Sequence, residues 1–130
     1  MRDIVQMLAM LGITMNYKGY SYLRAALSMV ESKEQVAHIR VTKDLYPFVA
    51  KQFHTSPQSV EQGISTVIGK CWQSSRRDFV CRLCRCTKKP TVAQFIHGLL
   101  CYLHDIDPVS VMAPEIPPGS RGRDEEDGKD

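Results

Sequence analysis

The sequence of 130 residues has no apolar run approaching the roughly 18 residues that a membrane helix needs, because charge, amide or glycine interrupts every apolar segment. A membrane span is excluded. No stretch of five or more residues alternates apolar and polar side chains with Val, Ile and Thr enrichment, so no strand is expected. Enzyme chemistry also lacks its parts. No Ser/His/Asp set, phosphate-cradling glycine loop or carboxylate pair can be assembled, and His38, His54, His97 and His104 show no paired spacing. The chain is expected not to be an enzyme and to carry no cofactor. Residues 4–13 are apolar, but Asp3 precedes them, no small-residue cleavage site follows, and their apolar positions fit a helix face, so a signal peptide is not expected either. A cytoplasmic location follows as the expectation.

Disulfide scaffolding is another absence. Five cysteines are an odd count, with Cys81, Cys84 and Cys86 crowded together, and a chain of this size needs no such framework. With Cys71, Cys101, His97 or His104 as a fourth ligand, those three resemble part of a thiolate zinc site. The spacing is poor, because Cys81 and Cys84 lie three apart on one helical face. A buried free cysteine behaves as a small hydrophobe, and no metal is expected.

What is present suits a single compact core. The length allows one domain of the usual size, and 43% hydrophobic with 24% charged residues rules out collagen-like, disordered or coiled-coil chains. The net charge of +3 conceals an asymmetry: residues 1–105 hold 14 Lys and Arg against 7 Asp and Glu, whereas residues 106–130 hold 3 against 7. The body is therefore +7 and the tail −4. A basic body attracts phosphates and favours nucleic acid as a partner.

The pattern from Ile4 onward is helical. Ile4, Leu8 and Leu11 recur at helical spacing up to Gly12, a glycine cap. Tyr20, Leu23, Leu27 and Val30 predict a second helix from about Lys18 to Ser32, and Val36, Ile39 and Leu45 continue in the same mode. Pro47 predicts a short helix carrying Phe48, Val49, Ala50 and Phe53 and ending near His54. Ser56 before Pro57 opens the next, over residues 57–72, with Val60, Ile64, Val67, Ile68 and Cys71 inward and Trp72 as a core anchor. Residues 76–85 form another, with Phe79, Val80 and Leu83 apolar. Thr91 with Gln94 makes a capping-box pattern for the last, whose stripe is Val92, Phe95, Ile96, Leu99, Leu100 and Leu103. The expected organisation is an all-α, compact six-helix domain over 1–105 with a helix-turn-helix at about 46–72. Residues 106–130, acidic and rich in Pro and Gly, form an expected disordered tail.

A short helix, the turn His54-Thr55-Ser56 and a longer helix are helix-turn-helix geometry, although the turn lacks its usual glycine. Ala50 would allow close approach, and Phe53, Val60 and Ile64 would set the helix angle. Around this unit lie further motifs: Leu11-Gly12-Ile13, Lys18-Gly19-Tyr20, Tyr22-Leu23-Arg24 and Ala26-Leu27-Ser28-Met29-Val30. Thr42-Lys43 with Leu45-Tyr46-Pro47, Ala50-Lys51 with Phe53, Thr55 to Pro57 with Val60-Glu61, and Lys89-Pro90-Thr91 with Phe95-Ile96 follow in order. Together they resemble the C-terminal effector domain of the stage-zero sporulation response regulator of endospore-forming Firmicutes, over residues 4–104. The resemblance implies a six-helix DNA-binding domain whose fourth helix reads a short promoter element, and so a transcription regulator with double-stranded DNA as partner.

The family normally presents arginines at the positions of Ser59, Gln62 and Ser65, and arginine reads guanine best because its fork engages two acceptors. Glu61 alone keeps its family identity there. The base-contacting candidates are accordingly Gln58, Ser59, Glu61, Gln62, Ser65 and Thr66, with weakened guanine readout. Gly63 and Gly69, each costing roughly 1 kcal/mol against alanine, suggest a retuned or decayed helix. Lys51, Lys70, Arg76, Arg77, Lys88 and Lys89 are the phosphate-contacting candidates, although the link through residues 84–89 is shorter than in the family, as the resemblance implies. The chain also begins at the effector, without the receiver domain that gates the family's DNA binding, so it is expected to act constitutively, through partners or on a full-length relative. The alternative function is a protein-interaction module that has lost sequence readout, as a homodimer or as a heterodimer with a full-length regulator.

Overall fold

The computed structural model describes residues 2–106. Among them the architecture is all-helical: α1 (Ile4–Met10), α2 (Lys18–Met29), α3 (Lys33–His38), a π-helical turn (Val41–Leu45), α4 (Tyr46–Gln52), α5 (Pro57–Gln73), α6 (Arg77–Cys84) and α7 (Val92–Leu103). No helix among the described residues is long and apolar enough to cross a membrane. The disordered tail expected over 106–130 falls, beyond Ile106, outside the described residues.

Local signals set most helix ends. At the end of α1 the Gly12 N–H donates to the Ala9 carbonyl at 3.0 Å and the Ile13 N–H to Leu8 at 3.0 Å, with Gly12 at φ 77°. That pair of bonds is a Schellman closure, and its left-handed residue is the one glycine adopts without strain. Thr91 and Gln94 complete the capping box of α7 reciprocally, at 3.1 and 2.9 Å.

Seven α-helices replace the expected six, and the difference lies between residues 30 and 45. The second helix stops at Met29 rather than Ser32, because Val30 turns extended and the Ser32 side chain caps a new helix by accepting from the Gln35 N–H at 3.2 Å. Ile39 leaves the helical path, and the chain re-enters through the π-helical turn, which continues directly into α4. Arg40 holds that turn: its backbone N–H donates to the Asp44 carboxylate at 2.9 Å, and its guanidinium also pairs with it. The backbone bond, more than the ion pair, lowers the pKa of Asp44.

The core is built around α7, which touches α2, α3, α5, α6 and the π-helical turn. Phe95, Ile96, Leu99 and Leu100 are wholly buried there, together with Leu8, Leu23, Leu45, Val60 and Ile64 from the surrounding elements. Burying each such side chain contributes on the order of 1.5–3 kcal/mol. His104 is buried as well, with Nε2 3.3 Å from the Val30 carbonyl, which ties the end of α7 to the end of α2.

Candidate nucleic-acid interface

The turn between α4 and α5 closes without glycine because His54 takes the left-handed conformation, at φ 56°. The His54 N–H donates to Lys51 at 3.4 Å and the Thr55 N–H to Ala50 at 2.9 Å, the same double closure that ends α1. Histidine is among the residues that enter this region more readily than most. The Ser56 hydroxyl then accepts from the Ser59 N–H at 3.1 Å, and Pro57, which needs no partner for a missing N–H, begins α5. Val49, Ala50, Val60 and Ile64 are buried between the helices as the helix-turn-helix reading expects. Phe53 is not locked in that interface. It remains 39% exposed, with its ring edge-on to Tyr22 of α2 at 5.3 Å.

Helix α5 turns Val60, Ile64, Val67, Ile68 and Cys71 inward, leaving Gln58, Glu61, Gln62, Ser65 and Thr66 exposed. At 3.6 residues per turn, Gln58, Gln62, Ser65 and Gly69 fall along one line, flanked by Glu61 on one side and by Thr66 and Lys70 on the other. Ser59 departs from the expected set. It is half-buried, and its hydroxyl accepts from the Ser56 hydroxyl at 3.0 Å, so it also serves the helix cap. The Thr66 hydroxyl donates back to the Gln62 carbonyl at 3.0 Å, which leaves its lone pairs and methyl group for outside contacts. Burial first, and then the negative charge of Glu61, push the Tyr46 hydroxyl up to about 12.

Gly63 is not a mark of decay. An alanine Cβ at Gly63 would stand 2.8 Å from the Tyr22 ring, and one at Gly19 would stand 2.5 Å from the Gly63 carbonyl oxygen and 2.5 Å from a Val67 methyl. The two glycines are therefore where α2 crosses α5, and their missing side chains let the backbones approach. Gly69 is different, since its nearest neighbour is the Lys89 amine, 3.6 Å from where a Cβ would be. Only at Gly69 does the helix-propensity cost lack a packing return.

That same distance brings Lys89 from the α6–α7 connection to the C-terminal end of the exposed α5 line. Lys70 and Arg76 line one concavity of about 220 Å³ with Gly12, Ile13 and Tyr17, on the flank where α1 and α2 meet α5. Arg77 is engaged: its Nε donates to the Trp72 carbonyl at 2.7 Å, and its guanidinium lies 4.9 Å over the indole. Trp72 is half-buried against the core, so this stacking serves the end of α5 first. Lys51 and Lys88 are exposed on α4 and on the connection. Lys18, not singled out by the sequence reading, is exposed next to Gly19 and is delivered to this flank by the helix crossing. The sequence signal was the pairing of Gly19 with Gly63, which becomes meaningful only once the two helices are known to cross.

The described residues contain no group of three or more His, Cys, Asp or Glu placed to hold a metal ion. A family model described as the sporulation initiation factor Spo0A C terminal matches residues 4–103, a span that includes every α-helix of the fold.

Proposed function

The chain belongs to the family of sporulation initiation factor Spo0A C-terminal domains, a family of DNA-binding effector domains and not of enzymes, and from that premise we propose that it regulates transcription by laying α5 in a major groove of double-stranded DNA. Gln58, Glu61, Gln62, Ser65 and Thr66 meet base edges. Lys70, Arg76, Lys88 and Lys89 neutralise phosphates, with Lys51 and Arg77 at the margin. The observation that carries this reading is the Lys89 amine beside Gly69, which joins the basic connection to the exposed line of α5.

The face suits positioning more than guanine readout. It holds two glutamines and two hydroxyl residues but no arginine, so adenine is the natural target of a Gln62 amide, and phosphate contacts dominate affinity. This work is assigned to the helical domain of residues 1–105. The rival reading, an interaction module that associates with a second copy or with a full-length regulator, draws on that same lack of arginine.

Titration against the family's promoter element and a scrambled duplex, each at two salt concentrations, tests the proposal. Groove binding predicts steep salt dependence with a modest preference for the element. Binding of neither duplex would refute it and favour the interaction module.

A further inference from the structure

None of the five cysteines enters the DNA-binding reading, and the fold separates them into two groups. Cys71, Cys84 and Cys101 are buried. Cys71 donates to the Leu11 carbonyl at 3.4 Å, Cys84 is pressed so tightly on Gly98 that a Cβ there would stand 2.8 Å from its sulfur, and Cys101 lies 3.9 Å from a His97 ring nitrogen. Cys81 and Cys86 are only half-buried, and they are the two within reach of a solute.

The end of α6 brings this second pair together. Arg85 adopts the left-handed region at φ 52° and turns the chain back, so that the Cys86 N–H donates to the Cys81 carbonyl at 3.1 Å. A backbone bond between residues five apart across a left-handed residue is the closure in which the two flanking side chains characteristically meet. Burial first, and then the neighbouring Cys81 thiol, push the Cys86 thiol above its ordinary value.

We infer that Cys81 and Cys86 form a reversible dithiol site that reacts with low-molecular-weight disulfides and closes to an internal disulfide. The Cys81 thiolate, its proton lost to solvent, attacks one sulfur of the small disulfide; that S–S bond breaks and the first small thiolate leaves. The Cys86 thiolate then attacks the Cys81 sulfur of the mixed disulfide and expels the second. Two protein thiols lose two electrons and two protons, and one small disulfide becomes two small thiols. Cys86 stands at the root of the segment that carries Lys88 and Lys89, so the bond fixes that root to α6.

Incubation of the full chain with glutathione disulfide, followed by mass spectrometry and peptide mapping, tests the site without reference to DNA. The expected product has lost two hydrogens, links Cys81 to Cys86 and reverts with dithiothreitol. Cys86→Ser should instead stop at a glutathione adduct on Cys81, and Cys101→Ser should behave as the native chain. Accumulation of glutathione adducts on the native chain without internal closure, a link between any other pair or between two chains, or continued loss of two hydrogens in Cys86→Ser would overturn the inference. The native chain's peptide map decides the matter even where a variant folds poorly.

Discussion

Alanine at Gly19 and alanine at Gly69 should change stability in opposite directions, although helix propensity alone predicts the same gain at both. An ordinary carbon contact needs about 3.5–4.0 Å. The Gly19 Cβ would find a backbone oxygen and a methyl group, each at 2.5 Å, a shortfall of about 1 Å on two sides. Neither neighbour can yield easily, because the oxygen belongs to the middle of α5 and Val67 is buried. Overpacking of this kind costs roughly 1–3 kcal/mol, and the crossing lies toward the upper end because a main-chain atom is involved. Against a propensity gain of at most about 1 kcal/mol, Gly19→Ala should lose about 2 kcal/mol. At Gly69 only the end of the flexible Lys89 side chain is near, at 3.6 Å, so Gly69→Ala should gain roughly 0.5–1 kcal/mol. For a domain of this size each kcal/mol shifts Tm by roughly 4–8 °C. Thermal melts followed by circular dichroism should show a fall of about 10 °C for Gly19→Ala and a rise of about 4 °C for Gly69→Ala. Equal stabilisation by both substitutions would mean that α2 and α5 do not cross through these glycines.

Alanine at Lys89, or at Lys70 and Arg76 together, should weaken binding to all duplexes alike and lower the salt slope by about one unit for each phosphate no longer neutralised, in titrations at several salt concentrations. Arg77→Ala should have a smaller effect on that slope and a larger one on Tm, because its guanidinium is held by Trp72. Gln62→Arg with Ser65→Arg should raise affinity for a guanine-containing family element at least about tenfold over a scrambled duplex, since a bidentate guanine contact discriminates by roughly 1–3 kcal/mol; an equal rise for both duplexes would mean that only charge had changed. Removal of residues 107–130, which carry 3 Lys and Arg against 7 Asp and Glu, should leave Tm unchanged and DNA affinity equal or greater, and a large fall in Tm would refute it. Burial pushes Cys71 up to about 11 and Cys84 to about 12 from 9, and burial with the Glu61 charge pushes Tyr46 up to about 12 from 10. A raised pKa means that the fold favours the neutral form, so this stability is fully present below pH 9 and is lost as pH rises from 9 to 12. Urea unfolding across that alkaline range should show the decline, and a flat profile would refute the assignment.

The sequence alone determined the helices whose ends are governed by neighbours a few residues away. Gly12 ends α1, Ser56 and Pro57 open α5, and Thr91 with Gln94 opens α7, because a cap is a hydrogen bond between residues two to five apart and its donors and acceptors can be read along the chain. The inward line Val60, Ile64, Val67, Ile68 and Cys71 was legible for the same reason, since 3.6-residue periodicity is a local property. The break after Met29 was less so, because Val30 and Ser32 also fit the continuing pattern until Ser32 is seen capping a new helix.

Tertiary structure decided which glycine of α5 is taken up by packing. Gly63 and Gly69 look identical in sequence, yet one accommodates Tyr22 and the other meets only a lysine from a connection twenty residues away. Ser59 has the composition of a base-contacting residue, but its hydroxyl also serves the cap. Arg77 has that of a phosphate ligand, but its guanidinium is stacked on Trp72. The two glycine outcomes depend on where a second element passes, and such passing points are set by the packing of the whole core around α7 rather than by any short stretch of chain, whereas Ser59 and Arg77 are held by residues three and five positions away.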